Sequence, residues 1–276
     1  IETGKKLLSL CMALVLCLSL LPVTALAADG ATVNVGSVAL TGSTDNPAYA
    51  TTDATTGKVT LGGDENTYNI KWDGETLTLR NATILEAKEY DEKNKEKIAI
   101  YLASGNMTLA LVGKNTVDAL GGGNAASCGI NLGSGSLTIS GENSASLTVY
   151  GGPTEHGNSC GIYANGTITM ESGTVTATGE SASGDSYGIY PAQSFTVNGG
   201  SITAQSGEAG GNSCGIYASN SVTIEDGSLN AASGEAGWNS CGIYASNSVT
   251  IEDGTVTATG GNAVTDSYGI YASSFT

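Results

Sequence analysis

The chain has 276 residues, with 26 acidic and 10 basic side chains and a formal net charge of −16. No lysine or arginine follows Lys114, so the second half of the chain cannot pair with phosphates, which excludes nucleic acid and disfavours an anionic membrane surface as partners. The 40 glycines and only four prolines, together with many Ser, Thr and Asn residues, suit short strands joined by tight turns.

Residues 1–27 have the three parts of a secretory signal peptide. Lys5 and Lys6 precede an apolar run from Leu7 to Leu21, and the small residues of Ala25-Leu26-Ala27 mark a cleavage site. The run of about fifteen residues is too short to span a bilayer, and no later segment approaches the required length. We therefore expect a secreted, extracellular protein without membrane insertion.

The two ends of the sequence indicate a fragment. Position 1 is not Met, and the sequence stops at Thr276 in the middle of a repeat. We expect any cell-surface attachment to lie in a missing C-terminal region.

Residues 28–70 have an irregular β-type pattern, and we predict that they cap the open edge of the structure that follows. Residues 71–276 are predicted to form a parallel β-helix. Its first coil runs from Thr76 to Ile84, its 27-residue repeats are clearest from residue 128, and the charged residues from Glu86 to Lys97 form an excursion from it.

One short phrase, Ser-x-Gly-Ile with x either Cys or Tyr, occurs six times in the second half of the chain. Its copies begin at Ser127, Ser159, Ser186, Ser213, Ser240 and Ser267, and from Ser159 onward they are 27 residues apart. A fixed period of this size indicates a stacked repeat architecture.

Within one repeat, apolar and polar residues alternate, as strands with one buried face require. In the copy that starts at Cys241, the residues predicted to point inward are Ile243, Val249, Ile251, Val256 and Ala258. The residues predicted to point outward are Tyr244, Thr250, Glu252, Thr257 and Thr259. Three strands and three corners in 27 residues predict one coil of an all-β parallel β-solenoid, right-handed by the usual rule for parallel crossovers.

The chain resembles secreted bacterial carbohydrate-binding-domain proteins from about Val33 to its end. The resemblance rests on the segment Lys-Trp-Asp-Gly-Glu-Thr-Leu-Thr-Leu-Arg-Asn-Ala-Thr-Ile at residues 71–84, the serial Gly-Ile-Tyr-Ala units, and Ser-Gly-Thr-Val-Thr-Ala-Thr-Gly at residues 172–179. It implies a right-handed, pectate-lyase-like parallel β-helix and non-catalytic binding of acidic or cellulosic plant-type polysaccharides, with calcium as helper. No calcium ligand of that family can be matched residue by residue.

Five tyrosines fall at one offset in successive repeats and are predicted to form an outward aromatic column. They are Tyr163, Tyr190, Tyr217, Tyr244 and Tyr271, and Asn131 holds the same slot in the first copy. A glycan chain along the axis would meet a ring on every coil. Rings about 4.8 Å apart can also stack on each other and hide their faces, so a carbohydrate-binding column and a structural ladder both remain open.

Trp238 interrupts a corner that otherwise carries small residues, since Gly211 stands one repeat earlier and Thr265 one repeat later. An indole on a loop beside Glu235 and Asn239 can stack on a sugar face. It can equally fold over its own corner.

Two acidic columns are candidate Ca²⁺ sites. Glu225-Asp226 and Glu252-Asp253 stack on consecutive coils, and Glu208 and Glu235 form the second column. Like charges one coil apart repel, so these carboxylates either stay solvated or share a cation, and their oxygens suit Ca²⁺. An acidic polysaccharide would need such a cation because the repeats carry no positive side chain.

Cys128 and Cys160 occupy neighbouring coils, as do Cys214 and Cys241. In-register stacking places their Cα atoms about 4.8 Å apart, inside the disulfide window, although the parallel Cβ vectors exceed the preferred Cβ separation. Disulfides, which secretion permits, and free buried thiols are both open. The spacing does not fit a zinc site.

We predict that this segment is not an enzyme. A lyase of this architecture needs a strong base, and the only arginine is Arg80, while the only histidine, His156, lies in a loop. An inverting hydrolase needs paired carboxylates across a groove, whereas the carboxylates here repeat from coil to coil. An ice-binding face would need a regular Thr-x-Thr array, which breaks at residues 203–205 and 230–232.

The predicted function is therefore binding of a polysaccharide or cell-surface glycan, or adhesion, through the tyrosines, Trp238 and the corner carboxylates. The main alternative is a structural stalk with no ligand of its own. A polysaccharide lyase or hydrolase is a further alternative. The sequence does not predict the oligomeric state.

Overall fold

The structure is a computed structural model that describes residues 30–90, 95–121, 125–142 and 144–276. The predicted signal peptide lies outside these residues. From Ala31 to Thr276 the chain forms one compact unit, and the described residues form strands and turns but no helix. Among them there is thus no helix with the length and apolarity needed to span a membrane. The predicted all-β parallel solenoid is confirmed.

Six short antiparallel strands cover one end of the coils. They are Ala31–Val35, Val38–Gly42, Ala48–Thr52, Val59–Leu61, Ile70–Trp72 and Lys88–Glu89. The first of them pairs with Lys97–Leu102, and Ile70–Trp72 pairs with Thr76–Arg80. These partners are the first parallel strands, so the antiparallel segment occupies backbone groups that would otherwise be free to pair with another chain. The buried Trp72 fixes this segment by donating a hydrogen bond from Nε1 to the carbonyl oxygen of Ala31 at 2.6 Å.

Each complete coil contributes one strand to each of three parallel sheets. The first sheet consists of Lys97–Leu102, Ser127–Leu132, Ser159–Ala164, Ser186–Pro191, Ser213–Ala218, and the first parts of Asn239–Ile251 and Asp266–Phe275. The second sheet consists of Thr76–Arg80, Met107–Val112, Leu137–Gly141, Ile168–Met170, Phe195–Val197, Val222–Ile224, and the last parts of Asn239–Ile251 and Asp266–Phe275. The third sheet consists of Thr83–Ile84, Lys114–Asp118, Ser146–Tyr150, Thr174–Gly179, Ser201–Ser206, Ser228–Ala232 and Thr255–Thr259.

Strands of neighbouring coils pair in parallel and in register. Ile162 pairs with Ile189, for example, and Tyr163 pairs with Tyr190. Residues at equivalent positions of the repeat are therefore vertical neighbours, about 4.8 Å apart.

Aliphatic side chains fill the space between the three sheets in vertical ladders. One ladder from the first sheet consists of Ile100, Ile130, Ile162, Ile189, Ile216 and Ile243. Burial of each such side chain stabilises the coil by about 1.5–3 kcal/mol. Of the residues predicted to point inward, Ile243 and Val249 are fully buried, and Ile251, Val256 and Ala258 are partly buried against the same core.

The serines of the first five phrases are buried and lie at the corner between the third and first sheets. Oγ of Ser213 donates to the carbonyl oxygen of Gly207 at 2.8 Å and accepts from the amide of Gly234 at 3.1 Å. Ser240 makes the equivalent bonds one coil later. Because the carbonyl of Gly207 and the amide of Gly234 both bond to this hydroxyl, the corner can close without leaving them unsatisfied.

Candidate functional site

The outer surface of the first sheet carries two adjacent columns of side chains. The tyrosine column consists of Tyr101, Asn131, Tyr163, Tyr190, Tyr217, Tyr244 and Tyr271. The thiol column consists of Ile98, Cys128, Cys160, Tyr187, Cys214, Cys241 and Tyr268. The structure thus brings the five predicted tyrosines together, and it adds a second column beside them.

The glycine of the phrase places both columns on the same surface. Residues three apart in a regular strand point to opposite faces, yet the ring centroids of Tyr187 and Tyr190 are 4.9 Å apart. The strand register includes the residues on either side of Gly129 but omits the glycine itself. The alternation of side chains is therefore shifted at this residue, and the residue before the glycine joins the tyrosines outside.

Edge-to-face contacts dominate the tyrosine column from Tyr163 to Tyr217. The rings of Tyr163 and Tyr190 have centroids 5.2 Å apart at 78°, and those of Tyr190 and Tyr217 lie 5.1 Å apart at 77°. Tyr187 contacts both Tyr190 and Tyr217 from the thiol column, at centroid distances of 4.9 and 5.2 Å. Tyr187 is therefore part of this cluster of tilted rings.

Parallel stacking dominates the same column from Tyr217 to Tyr271. The centroids of Tyr217 and Tyr244 lie 4.6 Å apart with the ring planes at 3°, and those of Tyr244 and Tyr271 lie 4.9 Å apart at 2°. Each ring covers a face of its neighbour. This part of the column presents mainly ring edges and hydroxyl groups to solvent.

Burial raises the pKa of Tyr217 and Tyr187 on this surface. Desolvation raises the pKa of Tyr217 to about 12, and the neighbouring phenols of Tyr244 and Tyr190 add to the rise. Desolvation also raises the pKa of Tyr187, followed by the effect of the carboxylate of Asp185. At neutral pH a ligand would meet uncharged phenols here.

The four cysteines of the thiol column are free and buried. The sequence left disulfides and thiols open, and the structure has thiols. Sγ of Cys128 donates to the carbonyl oxygen of Ile130 at 3.0 Å, and Sγ of Cys160 donates to that of Ile162 at 3.2 Å.

A shallow groove runs along the corner between the third and first sheets. Its floor is a row of small residues paired from coil to coil, namely Thr154, Ala182, Ala209 and Ala236. Its volume is about 450 Å³, and Glu208 and Glu235 line it. The predicted column of Glu208 and Glu235 therefore lies in a concave site.

Trp238 follows this groove directly in the chain and leads into the strand Asn239–Ile251. Its side chain is 62% exposed, whereas its backbone is fixed by hydrogen bonds to Gly211 in the preceding coil and to Thr265 in the following one. The indole therefore projects into solvent from a rigid corner.

The other acidic column lies at the corner between the second and third sheets and is exposed. Asp226 and Asp253 accept hydrogen bonds from the amides of the glycines that follow them, so these carboxylates shape the turn. The side chains of Glu225 and Glu252 are exposed on the same turns. In the described part of the chain, no three Asp, Glu, His or Cys side chains meet in a group that could hold a metal ion.

The residues considered for catalysis are separate from these columns. Arg80 donates from Nη2 to the hydroxyl of Tyr68 at 2.7 Å, and its guanidinium lies 4.0 Å from the centre of that ring. His156 is exposed in the loop that precedes Ser159–Ala164. Neither Arg80 nor His156 lines the groove of Glu208 and Glu235.

Sequence reasoning missed three tyrosines of this surface. Tyr187 and Tyr268 stand in the slot that holds cysteine in other repeats, and Tyr101 stands before the regular period begins. The Ser-Tyr-Gly-Ile spelling of two phrases was a visible signal for the first two. Nothing in a period-two pattern indicates that the slot faces outward, because the pattern assumes unbroken alternation.

Comparison with known proteins adds little to this description. No family model and no curated protein matches the chain. One solved structure that matches is a polysaccharide lyase-like protein from C. thermocellum, a gadolinium derivative, with a TM-score of 0.40, 16% identity, and coverage of 83% of this chain and 96% of that chain. A likeness of this size carries no argument about function, and the β-helix is established by the strand register described above.

Proposed function

We propose that the coil region binds a neutral, extended polysaccharide without catalysing a reaction on it. The bound chain lies along the groove of Glu208 and Glu235 and contacts the indole of Trp238. The exposed indole on a rigid corner is the observation that carries this proposal.

The chemistry of the corner suits a sugar chain. One face of a pyranose ring is apolar enough to pack on an indole, and its hydroxyl groups need hydrogen-bond acceptors. Glu208 and Glu235 supply carboxylate acceptors in the groove. Because the groove continues over successive coils, it favours a linear ligand parallel to the axis over a single small sugar.

Charge favours a neutral ligand over an acidic one. The net charge is −16, and no lysine or arginine follows Lys114. An acidic polysaccharide would require a cation between itself and the corner carboxylates, and Ca²⁺ remains the cation that their oxygens suit best. We therefore propose calcium only as a requirement for acidic ligands.

The tyrosine column extends the binding surface. It lies on the strands that follow the groove, and Trp238 comes six residues before Tyr244. Its stacked rings offer hydroxyl groups at their edges, so it supplies hydrogen bonds to a glycan more than stacking contacts.

Affinity electrophoresis of the full chain tests this proposal. Native gels would contain hydroxyethylcellulose as a neutral probe or polygalacturonate as an acidic probe, each with and without Ca²⁺. We expect retardation by the neutral polymer in both conditions, and loss of at least half of that retardation in Trp238→Thr. Thr265 holds the same position one coil later, so the substitution suits the fold.

Val264→Thr is the matched control. Val264 is 82% exposed on the corner of the next coil, and its replacement removes an exposed apolar side chain that is not aromatic. It should keep full retardation. Equal retardation of Trp238→Thr and the native protein would refute the site, and absence of retardation by any probe would refute glycan binding.

A structural stalk is the second candidate, and the stacked tyrosines favour it. Rings that cover each other at 2–3° stabilise the solenoid and hide the faces that a sugar would use. A stalk predicts that no polymer retards the chain, with or without Ca²⁺, while Tyr244→Ala lowers its stability.

A further inference from the structure

We propose that the two cysteine pairs of the thiol column, Cys128 with Cys160 and Cys214 with Cys241, each bind one Cu(I) ion in linear, two-coordinate geometry. These two sites are independent of the proposed glycan groove, which lies at the corner. Together they give the chain a capacity of two Cu(I) ions.

Pairing is the first observation. All four cysteines of the described residues stand in one column, and each has another cysteine as its vertical neighbour. Tyr187 separates the two pairs. A small apolar filler would not need a partner of its own kind, whereas a two-ligand site does.

Distance is the second observation. In-register strands hold equivalent atoms about 4.8 Å apart. A disulfide needs Cβ atoms about 3.8 Å apart, which this register does not provide. With the bond of about 2.3 Å that zinc thiolates have, two sulfurs that share one soft cation in linear geometry lie about 4.6 Å apart, which is close to the spacing of the register.

The surroundings are the third observation. Cys214 and Cys241 are each 1% exposed, and Cys128 and Cys160 are 5% and 7% exposed. The rings of the tyrosine column pack over them, so water cannot supply further ligands.

Binding replaces two S–H bonds by two S–Cu bonds. Both protons go to solvent, no electron is transferred, and two thiolates with one Cu(I) leave a single negative charge. Thiolates favour soft or borderline metal centres such as Cu(I), Zn²⁺ and iron–sulfur clusters. With only two donors and a dry cover, the site does not suit Zn²⁺, which takes four ligands.

The test is an anaerobic titration of the reduced full chain carrying Cys11→Ser and Cys17→Ser, which removes the two thiols outside the described residues. Cu(I) would be supplied as its bathocuproine disulfonate complex, with ascorbate present to keep it reduced. The loss of the colour of that complex would measure the transfer of Cu(I) to the protein. We expect two Cu(I) ions per chain, and X-ray absorption spectra with two sulfur neighbours per copper.

Cys241→Tyr and Cys160→Tyr are the matched variants, because Tyr187 and Tyr268 already occupy the same slot in other coils. Each should bind one Cu(I), and the double variant none, with unchanged circular dichroism. A stoichiometry that these variants do not change would overturn the proposal. So would complete loss of titratable thiols in native protein treated with oxidised glutathione, accompanied by a mass decrease of two hydrogens per pair, since that result shows disulfides.

Discussion

The glycine of the repeated phrase packs tightly against backbone atoms of neighbouring strands. A Cβ atom on Gly215 would lie 2.7 Å from the amide nitrogen of Ala232 and 2.8 Å from the carbonyl oxygens of Ala204 and Gly242. These are backbone atoms of the third sheet and of the next coil, which cannot move aside. The same residue shifts the alternation of side chains, so one glycine both lets two sheets approach and creates the second outer column.

Gly215→Ala should therefore destabilise the protein by about 3 kcal/mol, the upper part of the range for overpacking. The measurement is the shift of the urea unfolding midpoint. Gly211→Ala is the control, because the closest group to its Cβ is the flexible carboxylate of Asp185 and the equivalent positions already hold Trp238 and Thr265. An equal effect of both substitutions would contradict the close-approach explanation.

At the scale of the first sheet, the tyrosines pack in two arrangements. Tyr163, Tyr190 and Tyr217 meet edge to face, whereas Tyr217, Tyr244 and Tyr271 stack with parallel planes. A large side chain of the thiol column accompanies both arrangements, since Tyr187 contacts Tyr190 and Tyr268 contacts Tyr271. A repeat period therefore predicts that such rings are neighbours but does not predict their tilt.

Tyrosine burial gives this sheet a defined response to alkaline pH. The pKa of Tyr217 is raised to about 12, against about 10 for an unfolded tyrosine. The folded state therefore disfavours the phenolate, so this stability is fully present below pH 10 and is lost as pH rises from about 10 to about 12. Tyr217→Phe should reduce the decrease in the free energy of unfolding over that interval, measured by urea unfolding at a series of pH values.

The same titration can be followed by the near-ultraviolet absorbance of the phenolate. In Tyr217→Phe, the absorbance change of one phenol that titrates near pH 12 should be missing. If the variant and the native chain lose stability equally between pH 10 and 12, the burial of this phenol is not the cause.

At the scale of the whole molecule, the sequence predicted the architecture because the period and the alternation both follow from one repeated coil. The 27-residue spacing of the phrases and the inward isoleucines were enough to place three strands and a core. The corner groove was only half predicted: the acidic spacing aligned Glu208 with Glu235, but the exposure of Trp238 depends on backbone bonds to Gly211 and Thr265 that no pattern reveals.

The thiol column was not predicted as an outer surface, since the shift at Gly129 breaks the rule by which Cys128 and Ile130 would share a face. Local exceptions of this kind depend on contacts between strands that are separated along the chain. The parts of the site that depend on the regular period could be predicted, and the parts that depend on such contacts could not.

The central claim is that equivalent residues stack at a constant spacing. Pulsed electron paramagnetic resonance tests this claim directly, because it measures the distance between two spin labels. Ala103, Asn165 and Ser273 occupy one exposed position of the repeat, and a ketone-bearing amino acid at these sites accepts a nitroxide without touching the native thiols. Labels at Ala103 and Ser273 should give a single distance of about 29 Å, which is six coil steps of about 4.8 Å. Labels at Asn165 and Ser273 should give about 19 Å, which is four such steps. Two distances that do not differ by about two coil steps would contradict the stacked arrangement.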